Sequence, residues 1–274
     1  MSTEVYSTQL PSRSSLLNVQ FPKRQGHSTE FLSGKVYIIG GQDSDKSSRI
    51  LHNTVISLNP HSMEWSYCLS MSQRRTYHAS TWLQRKIYIC GGYSEAPDEH
   101  TRSCERFDSH SWQFVSSMNS VRISFAMAAV GDKMFAIGGF DGVLSTLKSV
   151  EKYSPLTDSW VQVRPMHSAR KSHSAAVLQK SVYVCGNCDF CKGKDSCERY
   201  DTSADRWTEI AQMTASRSGL TLLSDGVCIF AFGGCGANGT QMVEGFKPEN
   251  GFWKQMNGKL KHRRCRASGS VIRL

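Results

Sequence analysis

The sequence predicts an all-β repeat fold, a toroid of four-stranded blades, on three observations. A short apolar phrase ending in glycine occurs five times: KVYIIGG (35–41), KIYICGG (86–92), KMFAIGG (133–139), SVYVCGN (181–187) and CIFAFGG (228–234). A tryptophan follows each copy: Trp65, Trp112, Trp160, Trp207 and Trp253. The two series advance in step. The first glycines stand at 40, 91, 138, 186 and 233, at intervals of 51, 47, 48 and 47; the tryptophans are spaced by 47, 48, 47 and 46. A period of about 45–50 residues built from strands marks blades that cannot bury their own faces, so neighbours must stack.

Each element has its own reason. The run before the glycines is short, continuous and rich in Val, Ile, Tyr and Phe, as in a strand buried on both faces. Gly-Gly then lets the chain turn where φ is positive or a side chain would clash. A further strand follows in NTVISLNP, RSCERFDS, KSVEKYSP, DSCERYDT and QMVEGFKP, closed by Pro, Asp or Ser. The tryptophan strand comes next; each buried indole contributes about 4–6 kcal/mol as an upper bound. A methionine (Met71, Met118, Met166, Met213) precedes an arginine that leads into the innermost strand.

That arginine occurs six times, at Arg24, Arg75, Arg122, Arg170, Arg217 and Arg264. Six innermost strands against five Gly-Gly strands predict five complete blades, with an incomplete sixth built from both chain ends. SSLLNVQFP (14–22) is read as a degenerate outer strand and 264–274 as the closing strand. Residues 1–13, rich in Ser, Thr and Gln, are expected to be a disordered tail. The repeats span about 24–71, 75–118, 122–166, 170–213 and 217–256, and the propeller 14–274.

The order of basic residue, Gly-Gly strand, E-(K/R)-(Y/F) and tryptophan resembles the kelch repeat. The resemblance covers about residues 14–274 and implies a kelch-type β-propeller. The E-(K/R)-(Y/F) and W-x5-M features are similar to the kelch-like group. There a propeller follows BTB and BACK domains and selects substrates for a cullin-based ubiquitin ligase. The chain departs from that group in having no stretch long enough for a BTB domain. Other kelch propellers bind actin, which is the alternative reading.

Composition narrows the classes. No secretory signal opens the chain and no run approaches 18 apolar residues, so no membrane span is expected. The ten cysteines are accordingly read as reduced thiols of a cytoplasmic or nuclear protein. The formal charge of +10 favours an acidic partner. Nucleic acid is disfavoured because the basic residues are spread through the repeats and no reader motif is present. Glu105, Glu151, Glu198 and Glu244 are periodic like the arginines and are expected to form structural ties between blades. His78 and His173 share a repeat position with Phe125 and Leu220, so they read as core. With no nucleotide loop, HExxH or GxSxG, neither an enzyme nor a cofactor is expected.

CGNCDFCKGKDSC suggests a metal site, but the repeat accounts for two of its cysteines. Cys185 and Cys197 occupy places held elsewhere by Ile39 and Val55, and read as small core hydrophobes. Cys188 and Cys191 remain beside Lys192 and Lys194: half a tetrahedral site, or a pair of activated thiols. A redox or metal sensor is the third reading, with no metal ligand set assigned.

The expected function is recognition of a protein or peptide on loops held by a stiff frame. By resemblance, the residues used lie just after Gly-Gly and just after the innermost-strand arginine. The first set is Gln42, Tyr93, Phe140, Cys188 and Cys235. The second is Gln25, Gly26, Thr76, Tyr77, Ile123, Ser124, Lys171, Ser172, Ser218, Gly219, Cys265 and Arg266. Tyr77, Tyr93 and Phe140 are the hot-spot candidates. Lys171 and Arg266 would receive an acidic partner. Gln42, Thr76 and Ser218 complete the candidate site.

Overall fold

The computed structural model describes residues 3–6, 14–17, 24–43, 50–94, 100–186, 195–236 and 241–271. Five four-stranded antiparallel sheets carry the chain, each in sequence order. The first is Ser28–Leu32, Lys35–Ile39, Val55–Leu58 and Trp65–Cys68. The second is Ala79–Leu83, Lys86–Cys90, Cys104–Phe107 and Trp112–Val115. The third is Ala126–Val130, Lys133–Ile137, Val150–Ser154 and Ser159–Val163. The fourth is Ser174–Leu178, Ser181–Cys185, Cys197–Asp201 and Arg206–Ile210. The fifth is Thr221–Ser224, Ile229–Phe232, Met242–Lys247 and Phe252–Lys259. These are the five blades of a β-propeller, and each expected strand type fills one place in every sheet.

The described chain forms two compact units. One holds Gln25–Lys171 and Ser268–Leu274, with the first three sheets; the other holds Met1–Arg24 and Ser172–Ala267, with the last two. In each unit the apolar core lies between successive sheets. Leu83, Tyr88 and Met118 pack with Met127, Tyr153 and Trp160 in the first unit. Tyr183, Cys185 and Met213 pack with Leu222, Phe246 and Trp253 in the second. Burial on both faces explains the continuous apolar second strands.

The tryptophans are packing residues. Trp160, Trp207 and Trp253 are buried, and Trp65 and Trp112 half-buried. Three also reach back one repeat. The indole N–H of Trp112 donates to the Leu69 carbonyl at 2.9 Å, Trp160 to Ser116 at 2.9 Å, and Trp253 to Ala211 at 3.0 Å. The buried N–H thus finds the acceptor that its burial requires.

The periodic charges form fully buried ion pairs: Arg75 with Glu105, Arg122 with Glu151 and Arg217 with Glu244. Arg170 and Glu198 are buried at the same positions. Glu151 also accepts the backbone amides of Asn119 and Ser120, at 2.6 and 3.1 Å. Arg122 donates to the carbonyls of Gly138 and Ser149, at 2.7 and 3.0 Å. Each pair therefore fastens one sheet to the connector arriving from the sheet before it, which is more specific than a blade-to-blade tie. In the first sheet the glutamate position is Ile56, buried opposite Ile38.

Three findings differ from the sequence expectations. Part of the expected tail is ordered: Thr3–Tyr6 pairs antiparallel with Ser14–Leu17. The described part of the closing segment, 264–271, contains no strand. And the cysteines are not all thiols, since Cys90–Cys104, Cys185–Cys197 and Cys235–Cys265 are disulfides. Cys90 and Cys104 face each other directly across two strands, as do Cys185 and Cys197. Their Cα atoms are 4.2 and 4.3 Å apart, the close spacing of a pair not bonded through its backbone, so the sulfurs meet. The reading of Cys185 and Cys197 as core residues holds for burial but not for redox state. Cys188 and Cys191 lie outside the described residues. No helix of the described chain is long and apolar enough to cross a membrane.

Candidate partner-binding loop ends

The two residue sets predicted from sequence are joined by backbone. Thr76 and Tyr93 exchange both hydrogen bonds, at 3.1 and 2.9 Å; Ile123 and Phe140 do so at 3.0 and 2.9 Å; Ser218 and Cys235 do so at 3.1 and 2.7 Å. The residue after Gly-Gly and the residue after the arginine thus meet at one end of each of these sheets. The glycines make this approach possible. A Cβ on Gly91, at φ +66°, would stand 2.5 Å from the Arg122 carbonyl oxygen and 2.8 Å from the Phe125 ring. The arginine backbone supplies the next link: Gly92 N–H donates to Arg122 O at 2.9 Å, Gly139 to Arg170 at 2.7 Å and Gly234 to Arg264 at 2.7 Å. Arg264 therefore fills the sixth arginine place although the described residues after it, to 271, carry no strand.

One residue further on, the chain takes a left-handed conformation in every repeat. Gly26, Tyr77, Ser124, Ser172, Gly219 and Arg266 have φ between +50° and +66°. In the first unit Tyr77 N–H donates to Gly26 O at 2.8 Å and Ser124 to Tyr77 at 2.9 Å. In the second, Gly219 donates to Ser172 at 2.8 Å and Arg266 to Gly219 at 2.7 Å. These bonds hold four non-glycine residues in a region that disfavours them.

The candidates then divide by exposure. Gln42 and Thr76 are buried, 4% and 1% exposed, and act as frame: Gln42 is bridged to Leu51 and Thr76 to Tyr93. In the first unit Tyr77 packs edge-on to Tyr93 at 6.1 Å, and Tyr93 packs on His100 at 4.9 Å. In the next repeat Lys171 Nζ stands 4.8 Å from the Phe140 ring centre, a cation–π contact. In the second unit Ser218 is half-buried, and Arg266 and Cys235 are exposed. His78 and His173 are buried as expected. Burial and the nearby Arg75 push His78 down to about 3, so it stays neutral.

Sequence reasoning missed three residues here. His100 closes the aromatic group of Tyr77 and Tyr93. Val143 and Leu144 are 74% and 87% exposed at the tip of the loop after Gly139. That loop is ordered by Asp141, whose carboxylate accepts the amides of Val143, Leu144 and Ser145 at 2.9, 3.0 and 2.9 Å. These donors, Ser145 and Val143 foremost, hold the Asp141 carboxyl below its usual range. The available signal was the apolar Val-Leu pair inside a short Asp-Gly turn, where polar residues are usual.

Among the described residues no cluster of three or more His, Cys, Asp or Glu could hold a metal. Known sequences resemble this chain. The model of the KLHDC2/KLHL20/DRC7 Kelch-repeats domain matches residues 7–187, and the Kelch motif matches 169–214. Kelch-like protein 36 of Bos taurus is 29% identical over 234 residues, 80% of this chain and 37% of that protein. Kelch-like protein 26 of Danio rerio is 29% identical over 196 residues, 69% and 32%. Beta-scruin of Limulus polyphemus is 27% identical over 166 residues, 58% and 18%. The chain thus spans under two-fifths of the length of these relatives.

Proposed function

Because the chain belongs to the kelch-repeat family, we propose that it is a protein-interaction module whose loop ends bind a protein or peptide. The observation that carries this reading lies in the first unit. Tyr77, Tyr93 and His100, then Phe140 with Lys171, stand at the ends of successive sheets on backbone fixed by paired hydrogen bonds, and Val143 and Leu144 lie at the tip of the loop that Phe140 opens. Aromatic anchors with a cation and an apolar tip suit a short segment carrying both apolar and acidic side chains. Ser218 and Arg266 are the candidates of the second unit. The net charge of +10 favours the same acidic class.

In its finer form the reading is substrate selection for a cullin-based ubiquitin ligase, supported by the resemblance to the kelch-like group. The proposed setting is the cytoplasm or nucleus. Actin is the alternative partner, and cosedimentation with filaments separates it. The direct test is quantitative affinity capture from lysate, with each captured protein then titrated in purified form. Tyr93→Ala and Lys171→Glu should each weaken a true partner at least tenfold. Leu156→Ser, at an exposed position 90% open to solvent in a turn between the last two strands of the third sheet, should leave it unchanged. If the loop-end variants bind as the wild type does, the choice of surface is wrong.

A further inference from the structure

The three disulfides among the described residues stand in different surroundings. Cys90, Cys104, Cys185 and Cys197 are at most 2% exposed and face each other within sheets. Cys235 and Cys265 are both exposed and join two loop-end positions 30 residues apart. Their place in the repeat has a counterpart. Cys235 follows Gly-Gly as Phe140 does, and Cys265 follows the next arginine as Lys171 does. Where the third repeat has a cation over a ring, the fifth has a covalent bond.

We propose that Cys235 and Cys265 form a thiol–disulfide exchange site that takes a glutathione-type disulfide and clasps the segment 264–267 to the fifth sheet. The backbone holds both partners whatever their oxidation state. Cys235 exchanges two hydrogen bonds with Ser218, Gly234 N–H donates to Arg264 O, and Arg266 N–H donates to Gly219 O. Gly219 gives them room: a Cβ there would stand 2.9 Å from Arg266 Cγ and 3.2 Å from Cys265 Sγ. Cys265 lies between Arg264 and Arg266, with Lys259, Lys261 and Arg263 just before it. Such a cationic stretch attracts the carboxylates of glutathione.

The Cys265 thiolate attacks one sulfur of the oxidised glutathione disulfide, whose S–S bond breaks and releases one glutathione thiolate. The Cys235 thiolate then attacks the Cys265 sulfur, forming the Cys235–Cys265 bond and releasing the second glutathione. The protein loses two electrons and the glutathione disulfide gains them; excess reduced glutathione drives the reverse. Opening leaves the segment without its covalent link, although Thr221 Oγ1 still donates to Ala267 O at 2.7 Å. Tryptic sites after Arg263 and Arg264 then become easier to cleave.

The site does not depend on the proposed partner, and neither does its test. The full chain is equilibrated in glutathione buffers of graded ratio, quenched in acid, alkylated and read by mass spectrometry. Cys235 and Cys265 should become alkylated together as the buffer turns reducing, while Cys90, Cys104, Cys185 and Cys197 stay unlabelled in the native protein. Tryptic cleavage after Arg263 and Arg264 should be at least fivefold faster in reducing buffer. Cys235→Ser and Cys265→Ser should each match that fast rate in oxidising buffer. The proposal is overturned if the two thiols titrate independently, if no bond forms at any ratio, if the buried cysteines open at the same ratio, or if cleavage ignores redox state.

Discussion

Glu151→Gln tests whether the periodic ion pairs carry the frame. Arg122 and Glu151 have no exposed side-chain surface, and Arg122 Nε and Nη2 donate to one Glu151 oxygen at 3.1 and 2.9 Å. Burial pulls the guanidinium pKa down, and the Glu151 charge works against that pull. The glutamine keeps volume but only one acceptor oxygen, so either the Asn119 amide or the Ser120 amide with Arg122 faces an NH2 donor, and the charge that balances Arg122 is gone. Leaving one buried charge uncompensated costs about 3–5 kcal/mol. The substitution should therefore lower unfolding stability by about 3 kcal/mol in urea titration followed by circular dichroism. Asp132→Asn is the control. Its partner is Lys133, the two side chains are 67% and 28% exposed, and such surface pairs contribute about 0–1 kcal/mol. Replacing both buried partners, Arg122→Met with Glu151→Leu, should cost less than the sum of the single changes. A Glu151→Gln protein within about 1 kcal/mol of the wild type would refute the idea that these charges hold sheet to connector.

Gly91→Ala should destabilise by more than about 2 kcal/mol, since a positive φ and a clash with Arg122 O coincide. Gly131→Ala, at φ +62° with open space around it, should cost only about 1 kcal/mol; thermal melts compare the two. Trp160→Phe removes a buried indole N–H from the Ser116 carbonyl and should cost about 1–3 kcal/mol in the same assay. Glu30 is pushed up to about 7 by burial, against a hydrogen bond from Ser80 Oγ at 2.6 Å. The folded protein then holds a proton that the unfolded chain has released, so stability should fall as pH rises from about 4.5 to 7 and level off above. The shift bounds that fall at about 3 kcal/mol, and partial contact with water brings it nearer 1–2 kcal/mol. Glu30→Gln should flatten this part of the stability profile and leave the protein more stable than wild type at pH 8.

Most of the frame was legible because burial writes itself into sequence at a fixed period. The Gly-Gly strands and the tryptophans answer to one packing requirement repeated five times, and the arginine–glutamate positions to one repeated in the last four sheets, so any copy could be checked against the others. The disulfides were less legible. Cys90 and Cys104 sit where other repeats place Ile39 with Val55 or Ile137 with Val150, and a buried thiol looks like a small hydrophobe until cross-strand register brings two together. At the chain end, periodicity placed Arg264, whose carbonyl takes the Gly234 amide, although the described residues 264–271 carry no strand. At the candidate site, spacing located positions but not exposure. Gln42 and Thr76 follow the pattern yet face inward, whereas Val143 and Leu144 lie in a loop whose length varies and so escape it.

The left-handed residue one step beyond the loop-end bridge explains how a constant frame can present changing chemistry. A non-glycine residue there costs about 1–3 kcal/mol, yet Tyr77, Ser124, Ser172 and Arg266 all adopt it. The conformation persists because hydrogen bonds from the neighbouring repeat and from the Gly-Gly turn over-determine it. Side-chain identity at the neighbouring positions is then released from any structural duty. That is why one pair of equivalent positions can hold Phe140 with Lys171 and another Cys235 with Cys265 on the same backbone. Substitutions at these positions should alter what is bound or oxidised before they alter the fold, whereas Gly91 and Glu151 should do the reverse.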